Sequence, residues 1–116
     1  DTRLDMMYMP DAIDGIIQLM QAEPTRLKHR NAFNVTAMNF TPDELAGEIR
    51  KSVADFVIDY DVDPVRQAIA ESWPRAIDDS AARAEWDWQP RYDLATMTAD
   101  MLAKLGEKLK SPTRTT

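Results

Sequence analysis

The chain has no cysteine in its 116 residues, so disulfides and thiolate metal sites are excluded. Glycine is nearly as scarce: Gly15, Gly47 and Gly106 are scattered through segments of helical periodicity. Three isolated glycines cannot build a G-x-G-x-x-G turn or a P-loop, because both need clustered glycines to bring backbone N–H groups onto a phosphate. Histidine occurs once, as His29 in a polar loop, where it reads as a surface residue rather than a general base. A Tyr-x-x-x-Lys pair, which sets a phenol and an ammonium on one helix face, is also missing. The residues four after Tyr8, Tyr60 and Tyr92 are Ala12, Pro64 and Thr96. Positive charge is the minority sign, 14 Lys and Arg against 20 Asp and Glu, for a net charge of −6. That argues against nucleic acid or an anionic membrane as a partner, since both need basic surface. No apolar run approaches the roughly 18 residues of a membrane span, and no secretory pattern opens the chain. A soluble cytoplasmic protein is expected.

What is present is enough for one domain. Hydrophobic residues make up 44% of the chain, and a core of modest size is expected. The first residue is Asp1, and "DTRLDMMYMP" reads as a strand already in progress, so a piece of a longer protein is expected. Residues 1–110 read as one region, and the polar stretch 111–116, "SPTRTT", as a flexible tail.

The apolar run "LDMMYM", residues 4–9, predicts a buried strand. Pro10 and Asp11 open a helix, and Ile13, Ile16, Ile17 and Met20 give it one apolar face, expected to be buried. Pro24 ends it. "AFNVT", residues 32–36, predicts a second strand. "TPDE", residues 41–44, is a helix start with Thr41 as cap, Pro42 at the first position and Glu44 completing a capping box. Leu45, Ile49 and Val53 are its expected buried stripe. "FVIDY", residues 56–60, is β-branched and aromatic and predicts a third strand. Asp63-Pro64 starts a helix with Val65, Ala68 and Ile69 inward; Asp78 or Asp79 caps a short one through "SAARAEW". Asp93 opens the last, along which Leu94, Met97, Met101, Leu105 and Leu109 recur at helical spacing. The order predicts a small α/β domain of about three short strands and four to five helices.

Few residues carry chemistry. Asp59, Asp61 and Asp63 imitate the first half of a calcium loop, but the sixth position holds Pro64 instead of glycine and the twelfth Ala70 instead of an acid, so no metal is expected. Met6, Met7 and Met9 share one segment and read as core filler, with Met7 also a candidate for lining a pocket. The three tryptophans, Trp73, Trp86 and Trp88, fall within sixteen positions. Trp86 and Trp88 follow a capped helix and read as core. Trp73 stands at a helix end before Pro74, where a large side chain can wall a pocket.

The order of segments resembles a known family. "MMYMPDAIDGII" resembles the strand–Asp–helix element that follows the catalytic region in extended short-chain dehydrogenases and sugar epimerases. "AFNVTAMNFTPDELAGEI" is similar to the next strand and helix, and "DDSAARAEWDWQPRYDL" to the element before the last helix. Within the superfamily, "MMYMPDA", "NVTAMNFTPDELA", "VRQAIAESWP" and "DDSAARAEWDW" look most like the short-chain type of L-threonine dehydrogenase. Sugar epimerases carry an Arg-x-Gly-Asp-like segment where this chain has Ser72-Trp73-Pro74-Arg75, a departure that weakens the nucleotide-sugar alternative while Arg75 sustains it. The resemblance implies a C-terminal, substrate-binding portion of an extended Rossmann-type enzyme. NAD, the tyrosine base and the lysine would belong to a Rossmann domain before Asp1. Trp73, Arg75 and Met7 would meet a small amino-acid substrate, and this portion alone would be inactive, with neither catalytic nor cofactor-binding residues. A non-enzymatic dimerising module on the same scaffold is the third reading. Parted from its Rossmann partner, the chain is expected to form a homo-oligomer through residues 4–9 or the first helix.

Overall fold

The structure, a computed structural model, describes residues 2–110; the expected flexible tail lies outside the described residues. Two short strands, β1 (Leu4–Met6) and β2 (Met38–Phe40), pair antiparallel with Leu4 opposite Phe40, Asp5 opposite Asn39 and Met6 opposite Met38. The described residues form five helices: α1 (Met9–Gln21), α2 (Pro42–Arg50), α3 (Pro64–Ser72), α4 (Ser80–Trp86) and α5 (Leu94–Lys110). A single 3₁₀ turn, Pro24–Arg26, follows α1, and α2 packs against α5. The class is mixed α/β, with one two-stranded sheet among the described residues.

Helix starts follow the local chemistry of their caps. Thr41 and Glu44 form the full capping box, Thr41 Oγ1 accepting from the Glu44 N–H at 3.3 Å and Glu44 Oε2 from the Thr41 N–H at 3.1 Å. Asp63 Oδ1 accepts from the N–H groups of Val65 and Arg66 at 2.9 and 3.1 Å. Asp93 and Thr96 exchange the same kind of bond at the head of α5, at 2.8 and 2.9 Å. At α4 the roles divide. Asp79 holds the cap position without a capping bond and takes Arg83 Nε at 2.9 Å, while Asp78 Oδ1 accepts from the Ser80 N–H at 2.9 Å.

The strands depart from expectation. The run 4–9 forms a paired strand only over Leu4–Met6, and α1 already begins at Met9. "AFNVT" is irregular, and the strand lies further on, at Met38–Phe40; Phe33 and Val35 instead pack on the tryptophans. "FVIDY" is not a strand, and Val57 and Tyr60 are exposed. β-propensity expresses how a residue fits a pleated, half-buried surface, and without a neighbouring strand the segment has no such surface.

Helix faces depart in the same way. Ile13, Ile16, Ile17 and Met20 are exposed, and α1 buries Asp11 and Gly15 instead. Val53, Val65, Ala68 and Ile69 are exposed, and α2 buries Ala46 while Leu45 and Ile49 are half-buried. On α5, Met97 is buried but Met101, Leu105 and Leu109 are not. Helical periodicity identifies an apolar face; which surface covers that face is a tertiary fact.

The core sits where the tryptophans are. Ala82, Trp86 and Trp88 are buried together, with Met7, Leu19, Leu27, Phe33 and Val35 packed around them. Trp88 is 2% exposed and donates its indole N–H to the Thr36 carbonyl at 3.0 Å. Trp86 meets Phe33 edge-on at 5.9 Å between ring centroids. Between the two tryptophans, Asp87 takes a left-handed conformation (φ 56°), which an aspartate tolerates. Arg26 clamps its carboxylate with two bonds of 2.7 and 3.1 Å. Asp11, 1% exposed, accepts from the N–H groups of Arg91 and Tyr92 at 3.0 Å each. The acid in the first turn of α1 therefore ties that helix to the segment leading into α5.

His29 has a largely exposed ring but is not an idle surface residue. Its Nδ1 meets Oε2 of buried Glu85 at 2.5 Å, and Glu85 Oε1 accepts from the N–H groups of Lys28 and His29. Burial pushes the Glu85 carboxyl up, but the hydrogen bonds from His29 and the Lys28 N–H outweigh it and hold the group below the ordinary glutamate value.

This packing can be tested at two positions. Trp86→Ala should lower unfolding stability by about 3–5 kcal/mol in urea titrations, the range for truncating a buried aromatic; a loss within experimental error would remove Trp86 from the core. The Glu85 carboxyl, depressed in the folded chain, contributes stability above the unfolded glutamate value of about 4.3, and that stability is lost as pH falls through the lower folded value. Glu85→Gln should therefore be less stable at neutral pH and show a shallower acid limb in pH-dependent unfolding.

Candidate functional site

A cleft of about 620 Å³ lies between the ribbon and the end of α3, and is lined by Thr2, Arg3, Thr41, Ala70, Glu71, Trp73 and Arg75. Its wall comes from how α3 stops. Pro74 disfavours helix at the residue before it, and Trp73 is extended (φ −77°, ψ 152°) with its N–H still bonded to the Ala70 carbonyl at 3.3 Å. Ser72 closes the last turn by donating its hydroxyl to the Ile69 carbonyl at 2.6 Å. The chain then runs through Pro74, Arg75 and Ile77 to α4, and Trp73 is left 56% exposed.

Trp73 and Arg75 therefore share one cleft. Among the described residues Arg75 makes no ion pair, whereas Arg3 pairs with Glu44. The Arg3 guanidinium, and after it the Thr41 N–H, holds the Glu44 carboxyl below its usual range. Glu71 Oε1 accepts from Gln67 Nε2 at 2.8 Å. The cleft thus offers a guanidinium with no ion pair among the described residues, a hydroxyl-bearing rim and an indole wall, a set suited to a small anionic ligand with an apolar part.

Met7 is not in this cleft. It lines a separate apolar cavity of about 470 Å³ with Tyr8, Phe40, Met97 and Met101, and a smaller one of about 160 Å³ with Gly15 and Trp86. At the edge of the larger cavity Tyr8 donates to Asp100 at 2.7 Å, and Lys104 reaches the same carboxylate at 2.7 Å. Asp100 raises the Tyr8 phenol above its ordinary value, and Lys104, then Tyr8, hold Asp100 low. A phenol so raised is bound more firmly to its proton, so this trio fits a structural contact better than a base at neutral pH.

Arg3, Thr2 and Thr41 line the cleft, yet no sequence motif marked them for it. Arg3 precedes a short strand, and only the pairing of Asp5 with Asn39 carries it beside α2. Among the described residues, no three or more His, Asp or Glu side chains gather as a metal site, and no helix is long and apolar enough to cross a membrane.

No family model matches the chain. It is 55% identical, over 93% of its length, to an uncharacterized epimerase/dehydratase of Staphylococcus haemolyticus, and 50% identical over 92% to one of Staphylococcus aureus. It spans only about a third of these relatives, 34% and 33%. Among solved structures it is similar to the L-threonine dehydrogenase of Clostridium difficile, with a TM-score of 0.89 and 58% identity, covering 92% of this chain and 34% of that one. It is also similar to the holo form of the GalE-like L-threonine dehydrogenase of Cupriavidus necator, with a TM-score of 0.86 and 51% identity over 90% of this chain and 34% of that one. By sequence and fold together, the chain is similar to about a third of proteins named epimerase/dehydratase and L-threonine dehydrogenase, which fits a C-terminal fragment of a longer protein of that kind.

Proposed function

We propose that this chain is the substrate-side portion of an NAD-dependent L-threonine dehydrogenase, which converts L-threonine to 2-amino-3-ketobutyrate and whose activity this portion alone lacks. The observation that carries the reading is the shared cleft of Trp73 and Arg75, in a chain 58% identical to an L-threonine dehydrogenase. A guanidinium matches a carboxylate in both charge and geometry. An indole beside it supplies an apolar wall for the non-polar part of the same ligand.

The residues of this chain do not fit a dinucleotide. Its three glycines lie inside helices, and the turn before α1 is made by Met7 and Tyr8 without the glycine that lets a backbone approach a pyrophosphate closely. NAD and the base for the hydroxyl proton would therefore come from a Rossmann domain in the same longer protein. In that protein the cleft residues described here bind and orient the amino acid and exclude water from it.

Trp73→Ala in the full-length protein should lower kcat/KM for L-threonine about tenfold or more, since one pocket contact is worth ~1–3 kcal/mol, and leave the thermal midpoint near wild type. Unfolding of that variant would make Trp73 a core residue. Conversion of a nucleotide sugar by a wild-type protein that leaves L-threonine untouched would replace the reading with the epimerase one.

A Rossmann domain in the longer protein also accounts for the exposed face of α1. Ile13, Ile16, Ile17 and Met20 form an apolar stripe that such a domain would cover. Produced without it, the chain should associate with itself through this face or through residues 4–9, and sedimentation equilibrium should show a dimer or larger species. A clean monomer at tens of micromolar would mean that the stripe needs no partner.

A further inference from the structure

The loop that carries Trp73 and Arg75 has almost no support from its own side chains. Residues 71 to 78 are all exposed, and Asp79 is the first buried one. Two hydrogen bonds tie the loop to the ribbon, and both come from one cross-strand pair. Asn39 Nδ2 donates to the Arg75 carbonyl at 2.6 Å, and Asp5 accepts from the Ile77 N–H. Asp5 and Asn39 stand opposite each other in the register, and Asn39 Nδ2 also donates to Asp5 Oδ1 at 2.7 Å. The pair thus offers one donor and one acceptor to backbone groups two residues apart, much as the edge of a strand would.

The pair is itself anchored. Arg3 Nη1 donates to the Asn39 carbonyl at 2.9 Å and to Asn39 Oδ1 at 3.2 Å, and its other nitrogen pairs with Glu44, the capping-box acid of α2. One connected set of bonds therefore runs from the head of α2 through Arg3 and Asn39 to the loop. Arg3, Thr41, Trp73 and Arg75 all line the cleft, and each is bonded into this set or lies within two residues of a member of it.

We propose that Asn39, with Asp5, is a positioning residue: it sets where Trp73 and Arg75 stand and so the fit of the cleft to its ligand. The inference rests on reading that cleft as the substrate site. Asn39 touches no substrate; it acts through the Arg75 carbonyl. An amide is required because only a neutral side-chain nitrogen can donate to the carboxylate and the carbonyl together without bringing a further charge.

An exchange of the two residues tests this. In Asp5→Asn with Asn39→Asp, net charge is unchanged. The amide moved to position 5 can still donate to the carboxylate moved to position 39 and accept from the Ile77 N–H, and Arg3 keeps its acceptor. The Arg75 carbonyl alone loses its donor, and faces a carboxylate oxygen in its place. The peptide bond that follows that carbonyl, Arg75–Ala76, is a trypsin site, so release of the loop can be read without any activity assay. In the full-length protein, the exchange should speed cleavage at Arg75–Ala76 by about three- to tenfold, the opening expected from losing one net hydrogen bond. It should also raise KM for L-threonine while kcat and the thermal midpoint hold. Wild-type cleavage in the exchanged protein overturns the proposal, and so does faster cleavage with an unchanged KM. If the exchange lowers the thermal midpoint, Asn39→Ala, which adds no charge, gives the same two readings. If the wild-type protein does not oxidise L-threonine, the functional reading fails, and the cleavage rate still decides whether Asn39 holds the loop.

Discussion

The seating of Trp88 against Gly15 is the contact on which the rest of the structure depends. A Cβ built on Gly15 would stand 3.0 Å from Cζ3 of the Trp88 ring, so α1 and the indole are as close as two elements can come without a side chain between them. The ring has little freedom to move aside, because its N–H is bonded to the Thr36 carbonyl. Alanine at position 15 would gain up to ~1 kcal/mol of helix propensity. Overpacking a fixed aromatic costs about 1–3 kcal/mol, so the contact decides the residue. From this seat the chain order follows. Thr36 pins the irregular stretch before β2, Ala82 and Trp86 dock α4 on the same ring system, and Asp11 fixes the N–H groups of Arg91 and Tyr92 just before α5.

That core is small for the apolar surface the chain carries. Its buried apolar members are Ala46, Ala82, Trp86, Trp88 and Met97, while the outward stripe of α1 and the later turns of α5 carry isoleucine, leucine and methionine on exposed positions. A two-stranded ribbon is too little sheet to stand alone, and here the helix caps and the tryptophan seam hold it in place. Energetically the chain reads as one part of a larger packed unit, in line with relatives about three times its length.

What could be read from the sequence was what local chemistry determines. Thr41, Asp63 and Asp93 act within three residues of themselves, and all three caps stand where the residues place them. Trp86 and Trp88 were legible as core because two large aromatics that flank one acid after a capped helix have few other places to go. The faces of α1 and α3 were not legible, since periodicity marks an apolar side and is silent on what lies against it. "FVIDY" failed for the same reason: a strand needs a neighbour, and none stands beside it here. The resemblance to the dehydrogenases reached further than periodicity could, because it reflects an order of segments, and the fold agrees with it. Within the cleft, Trp73 and Arg75 are two apart and came together, whereas Met7, grouped with them by composition, lines a different cavity. Arg3 and Asn39 carried no signal, because their place depends on a strand register with only three pairs to define it.

The buried core and the open cleft therefore occupy different parts of this chain. The tryptophan seam is buried, aromatic and held by contacts that tolerate little change in volume. The cleft wall is an exposed loop whose shape depends on a few polar bonds, each worth about 0.5–1.5 kcal/mol. A loop held this way can be retuned by one substitution without disturbing the core. On the proposed reading, changes at Trp73 or Asn39 would alter what the cleft accepts, whereas changes at Trp86 or Trp88 would act on the buried core. The division follows in this chain from Pro74, which ends α3 and leaves Trp73 exposed on the cleft.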